Sequence, residues 1–467
     1  MSERNRLRSY EKWWQSVLPL LFTFFLSFPI FHLPSVYAQM RKPCGTSVLA
    51  RRHQLHRYST RAAQKSTSRT FQGSKRGLII LVSFPDIPFQ DENPNQLWTD
   101  IANAPGYSDY GACGSVSDYF RDQSYDQFHL TFDVVGPVEA AHNHDYYGQN
   151  IDWGDAIGWF DQNVGELVEE ACRAADKSVR FSDYDWDGDG EVDQIFLLYS
   201  GHGEHDYWSR DTTVIWPHMA SLSEDWVGYE EGLVLQGVRI NTYACSNEIK
   251  RSGKLEGTGT FCHEFSHCLG LPDLYNTDEG YSVVGSYDLM DQGCYNGSGW
   301  CPVGYSSYER YACGWLTPVE TDDPKTLSDQ FLAGELQPPF LPLHESPKAY
   351  IYRVNPDDND YYLIENRQRE SWDSYFPRAG LLVWHIDYDE EIWYNNTVNN
   401  DPDHLRVERM AVEEIPVGIS HVFNDEKTIV GVYDLYGRPL LSSFSPSLLS
   451  SLYIIRYSDG TTKKVFR

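Results

Sequence analysis

The run His263-Glu264-Phe265-Ser266-His267, followed by Gly270 and by Pro272-Asp273, constrains the fold more than any other stretch of this chain. Residues four apart on a helix share one face, about 6 Å apart at Cβ, so both imidazoles can reach a single ion only if this segment is helical. Gly270 supplies a left-handed stop. Pro272 holds Leu271 extended and turns the chain back, which lets Asp273 offer a carboxylate to the same ion. With 15 His and 67 acidic residues, a chance His-acid-x-x-His arises roughly 0.07 times by multiplication. Requiring Gly270 and an acid at 273 lowers that about a hundredfold.

Two imidazoles, one carboxylate and an open fourth position make a catalytic zinc shell, not a structural one. His263, His267 and Asp273 are therefore the expected ligands, with a distant acid or His385 as the alternative third. Glu264 projects from the neighbouring side of the same turn, where it can take a proton from a water on the ion. That chemistry is hydrolysis, with Glu264 passing the proton on to the leaving amine of a peptide bond.

The segment from His263 to Tyr275, followed by Gly285-Ser286-Tyr287-Asp288-Leu289-Met290-Asp291-Gln292-Gly293, resembles the immune inhibitor A peptidase family, a metzincin-like group. The resemblance covers roughly residues 77–415. It extends to Gly114-Ser115-Val116-Ser117-Asp118-Tyr119-Phe120, Gln123-Ser124-Tyr125, Gly314-Trp315, Glu365-Asn366-Arg367 and the run from Gly380 to Asp387. It implies zinc endopeptidase activity on proteins or peptides, an extended cleft and a methionine turn below the metal, which Met290 matches. Two residues on, where some metzincins place a tyrosine, this chain has Gln292, and Tyr295 is the candidate to stabilise the oxyanion. A zinc exopeptidase and an inactive surface binding protein of the same fold are the competing readings. The intact Glu264 argues against the second.

The run Asp183-Tyr184-Asp185-Trp186-Asp187-Gly188-Asp189-Gly190-Glu191-Val192-Asp193 begins like an EF-hand loop. Its twelfth position, counted from Asp185, is Phe196, and a strand is expected next. Asp185, Asp187, Asp189 and Asp193 are the candidate calcium ligands of a loop that opens a strand, since so many carboxylates repel without a cation.

Around these motifs the expected class is α/β (α+β), a metzincin-like zinc protease domain with a mixed sheet and an active-site helix, plus a small C-terminal β module. Buried strands are expected at Gly77–Phe84 and Ile195–Tyr199, and a late strand at Leu381–Trp384. Helices are expected from Ser115 to Phe120, from Val164 to Ala175 and from Thr258 to Leu269. The expected boundaries are a signal peptide at 1–38, a basic pro-segment at 39–72, the catalytic domain at 73–415 and the β module at 416–467. The leader rests on Arg4, Arg6, Arg8 and Lys12, the apolar run from Val17 to Ile30, and the small residues before Gln39. Residues 1–76 carry 14 Lys or Arg against Glu3 and Glu11. The whole chain carries −29, so residues 77–467 carry −41. Such a body repels nucleic acid and anionic membranes.

Pro43-Cys44-Gly45 is similar to the cysteine switch of other metzincins, which makes Cys44 a candidate for latency; an ordinary or disulfide-bonded cysteine is the alternative. Of nine cysteines, Cys294 and Cys301 are the easiest pair to propose. Cys262 and Cys268 cannot pair on one helix, because six residues rise about 9 Å. The β-patterned stretches Ile429–Gly437 and Leu452–Phe466, with turns at Tyr436-Gly437 and Asp459-Gly460, resemble the C-terminal sorting domain of type IX secretion. That implies export outside a Gram-negative cell or onto its surface, with the secretion machinery as partner.

Overall fold

A computed structural model describes residues 71–152, 157–206, 211–224, 232–355, 359–411, 429–434, 453–457 and 462–465. The expected leader, almost all of the pro-segment, Cys44 and the turns at 436–437 and 459–460 lie outside the described residues. The chain divides into two compact units, 1–415 and 416–467.

In the larger unit the elements are, in order, β1 (Gly73–Ser83), α1 (Pro94–Asn103), α2 (Val116–Gln123), β2 (Phe128–Glu139), α3 (His144–Gly148), β3 (Asn150–Asp152), β4 (Ile157–Asp161), α4 (Val164–Ala175), β5 (Ile195–Tyr199), β6 (His218–Ser221), β7 (Leu233–Leu235), β8 (Val238–Ile240) and β9 (Thr242–Asn247). Then come α5 (Gly259–Cys268), α6 (Ser307–Ala312), β10 (Val319–Glu320), α7 (Pro324–Ala333), β11 (Tyr350–Arg353), β12 (Asp360–Arg367), β13 (Gly380–Asp387), α8 (Glu390–Tyr394) and β14 (Val407–Met410).

The first sheet runs β2-β1-β5-β9-β6. Its first four strands are parallel, and β6 closes the edge antiparallel to β9. A parallel strand covered on both faces needs an unbroken apolar run, which is what Leu78–Val82 provides. Alternation then sorts the residues. Ile79 and Leu81 enter a core shared with α1, α2 and α5, while Leu78, Ile80 and Val82 enter a second core against α4. The helix α5 thus lies on one face of the sheet and α4 on the other.

Helix α2 begins with a reciprocal capping box. The Asp118 amide donates to Ser115 Oγ at 3.1 Å, and the Ser115 amide donates to Asp118 Oδ2 at 3.0 Å. Two orphan amides at the helix start are satisfied at once.

A second sheet, β10-β11-β12-β13-β14, is antiparallel apart from the β10–β11 pair. Sequence alone located only β13 of it. The smaller unit holds an antiparallel sheet of β15 (Ile429–Asp434), β16 (Tyr453–Tyr457) and β17 (Thr462–Val465). No helix among the described residues is long and apolar enough to cross a membrane.

The expected Cys294–Cys301 pair does not form. Cys301 bonds Cys113, 188 residues away, with Cα atoms 5.1 Å apart. Cys294 instead turns into the core, where its thiol donates to the Asp291 carbonyl at 3.3 Å. Asn296, Gly297 and Ser298 break the helical path between the two cysteines, so proximity in sequence does not bring their side chains together. Cys262 and Cys268 are both free and buried on α5.

Candidate metal centre

On α5, residues two apart point about 200° away from each other. Phe261 and Phe265 face the sheet, where Phe261 stacks on Phe196 with centroids 3.7 Å apart and Phe265 meets Phe132. His263 and His267 are thereby aimed the other way. The helix start is wedged against the segment 292–299: a Cβ at Gly259 would come 1.8 Å from the Cys294 carbonyl oxygen, so only glycine fits. The helix ends in a Schellman motif. Gly270, at φ 90°, donates to the His267 carbonyl at 2.9 Å, and Leu271 donates to the Ser266 carbonyl at 3.2 Å.

That turn returns Asp273 to the helix. Its Oδ1 lies 3.2 Å from His263 Nε2 and 3.4 Å from His267 Nε2, and all three side chains are buried. The other ring nitrogens are engaged by backbone. His263 Nδ1 meets the Leu289 carbonyl at 2.8 Å, and His267 Nδ1 meets the Leu271 carbonyl at 2.7 Å. Protons on both Nδ1 atoms leave both Nε2 lone pairs directed at the common point. Burial works against ionisation of Asp273, but His267 and His263 outweigh it and hold its carboxyl well below the usual carboxylate range.

Asn396 braces this carboxylate from 123 residues away. Its Oδ1 accepts from the Asp273 amide at 2.7 Å, and its Nδ2 donates to Asp273 Oδ2 at 2.6 Å. Neighbouring Asn399 and Asn400 hold the Leu274 carbonyl and the Thr277 amide. Sequence reasoning missed Asn396; the clustered asparagines of 395–400 were the only local signal. The donor set suits zinc: two neutral imidazoles and a hydrogen-bonded carboxylate that converge within 4.8 Å of one another. His385 is not part of it. Its ring, on β13, lies between Asp360 at 2.9 Å and Glu408 at 3.2 Å.

Met290 is buried, and its carbonyl accepts from the Leu274 amide at 2.9 Å, which ties its turn to the residue after Asp273. Beside the histidines is a pocket lined by Glu264, His263, Thr260, His205, Asp291, Gln292 and Tyr295, among others. Tyr295 lies parallel to the His205 ring, centroids 6.3 Å apart. His205 was also missed from sequence; its Nε2 lies 3.5 Å from the buried Glu256 carboxylate.

In the acidic loop the ligand atoms of Asp185, Asp187 and Asp193 lie within 4.8 Å of one another. Asp189 is not among these three; its Oδ1 accepts from the Glu191 amide at 3.0 Å. Asp185 is held by the amides of Gly188 and Gly190, each at 2.8 Å. The loop leads directly into β5.

The profile described as immune inhibitor A peptidase M6, catalytic domain, matches residues 63–313. A pre-pro-metalloprotease, PrtV, of Vibrio cholerae serotype O1 is 26% identical over 277 residues, covering 50% of this chain and 29% of that protein. An immune inhibitor A of Bacillus thuringiensis subsp. alesti is 24% identical over 332 residues, covering 62% of this chain and 47% of that protein. The chain thus spans less than half the length of either relative.

Proposed function

This chain belongs to the immune inhibitor A peptidase M6 family, and from that membership we propose that it is a secreted zinc-dependent metalloendopeptidase acting on proteins outside the cell. The observation that carries the reading is the convergence of His263, His267 and Asp273 while Glu264, on the same helical turn, lines the adjoining pocket. When bound, zinc supplies Lewis acidity to a substrate carbonyl and lowers the pKa of a water.

The chain's own residues do the rest. The Leu289 and Leu271 carbonyls fix both imidazole tautomers, and Asn396 fixes the carboxylate. The Glu264 carboxylate takes a proton from the attacking water and delivers it to the leaving amine. Burial of Glu264 keeps bulk solvent from competing for that proton. The Tyr295 hydroxyl is the proposed donor to the oxyanion, and Met290 the proposed floor under the ligands. Asp185, Asp187 and Asp193 are proposed to hold a structural calcium, supported by their spacing and by the Gly188 and Gly190 amides that fix Asp185.

We read residues 1–38 as the leader, 39–72 as the pro-segment and 416–467 as the sorting module. Casein digestion by the purified protein tests the activity. It should stop with a chelator, return with zinc and be absent from Glu264→Ala. Zinc-loaded protein that leaves casein intact after removal of residues 1–72 would reduce the chain to a binding protein.

A further inference from the structure

Residues 292–300 border two openings. Gln292, Cys294 and Tyr295 line the small pocket at Glu264, whereas Gly297, Ser298 and Trp300 line a groove of about 1120 Å³, room for several side chains. Tyr110 and Tyr375 line the same groove and are 60% and 56% exposed. Two large rings left mostly in water at one opening, with Leu97 and Leu255 beside them, make a patch of the kind that marks a binding surface. The groove is also held in shape by the protein alone. The Cys113–Cys301 disulfide ties together the segments that carry Tyr110 and Trp300, whose rings stack with centroids 4.9 Å apart. Lys250 Nζ donates to the Ser298 carbonyl at 2.5 Å. The Tyr375 ring lies against Gly297, where a Cβ would come 3.0 Å from Tyr375 Cε2. Tyr110 itself has φ 59°, a left-handed conformation that a bulky residue keeps only where its surroundings impose it. Rings fixed in advance offer stacking and apolar contact with little further loss of freedom on binding.

Tyr295, at the catalytic pocket, and Gly297, at the groove, are two residues apart, a span of at most about 7 Å. An extended polypeptide advances about 3.3 Å per residue, so a chain with its scissile bond at Glu264 reaches the groove about three to six residues away. We propose that this groove is a remote substrate-binding site, in which Tyr110 and Tyr375 receive an aromatic side chain of the polypeptide being cleaved. This rests on the endopeptidase reading and adds to it a preference for long substrates with an aromatic residue at a set distance from the cut. A polypeptide is the occupant because groove and catalytic pocket share the segment 292–300, so a chain held at one is presented to the other. Contacts this far from the reacting carbonyl are the same in substrate and transition state. They lower KM and leave kcat unchanged.

The test uses the zinc-loaded chain after removal of residues 1–72 and two sets of peptides with one cleavable core. The short set ends two residues either side of the scissile bond. The long set extends eight residues either side and carries phenylalanine or alanine at each outer position in turn. At one outer position phenylalanine should raise kcat/KM over alanine at least about fivefold, through KM. Tyr375→Ala and Tyr110→Gly, the latter free to keep the left-handed backbone, should each lower that advantage several-fold. Both should leave kcat/KM for the short set within about twofold of wild type. Should Tyr110→Gly lower Tm, Tyr375→Ala alone decides. A second arm measures anisotropy of labelled long peptides on zinc-loaded Glu264→Ala, where the phenylalanine peptide should bind more tightly than the alanine one. No outer position that favours phenylalanine, or an advantage that survives both tyrosine substitutions, overturns the groove assignment. If wild type cleaves no peptide of either set, the endopeptidase reading fails instead, and the anisotropy arm, repeated with Tyr375→Ala, decides whether the groove takes an aromatic side chain.

Discussion

Two of the places where carboxylates gather among the described residues are built on opposite plans. At His263, His267 and Asp273 the ligand atoms are buried, and each ligand has a partner behind it: the Leu289 carbonyl, the Leu271 carbonyl and Asn396. In the Asp185–Asp193 loop the group is partly exposed and comes from one short stretch of backbone, with glycine amides orienting Asp185. The first plan fixes ligands before an ion arrives, using contacts from distant parts of the chain. The second depends on local turns. The buried centre should therefore tolerate little change in its supports, whereas the loop should act mainly through stability.

His267→Ala tests the sharper end of that contrast. It should abolish stoichiometric zinc retention after dialysis and lower peptide hydrolysis by about 10³-fold or more, since Lewis acidity is worth several kcal/mol of barrier. Retained zinc at full stoichiometry in this variant would break the comparison. Asn396→Ala removes only the brace. Zinc affinity, read by competition with a chromophoric chelator, should fall about 10–100-fold. Asp185→Ala should leave zinc content and cleavage pattern intact while removing a calcium-dependent rise in Tm. That rise reflects about 2.7 kcal/mol at calcium a hundredfold above Kd.

The smallest effect concerns pH. Asp273 has a folded-state pKa held below its unfolded value near ~3.9. Its contribution to metal-free stability is therefore present above about pH 4 and is lost as pH falls through the lower folded value. Thermal melts of metal-free protein between pH 5 and 2 should show a steeper decline for wild type than for Asp273→Asn.

Sequence carried the buried plan as far as its local part. The helix Val164–Ala175 and the strand Ile195–Tyr199 match their expected bounds, because apolar periodicity and length decide them locally. Gly270, Pro272 and Asp273 were legible for the same reason: the three converging side chains lie within eleven consecutive residues. What could not be read is what the tertiary fold brings together. Asn396 reaches Asp273 across 123 residues and lies beyond the matched region 63–313. Cys113 meets Cys301 because two loops converge on the Ser371–Trp372 segment, not because of any spacing. Asp189 Oδ1 accepts from the Glu191 amide, an orientation that alternating aspartates do not reveal.

The fit of Gly259 against the Cys294 carbonyl has an evolutionary corollary. The helix that bears Glu264 and the segment 292–299 share one seam too tight for any side chain. Neither can be rotated or lengthened without displacing the other. Descendants of this chain should therefore vary by exchanging side chains on either side of that seam, and seldom by insertion or deletion near it.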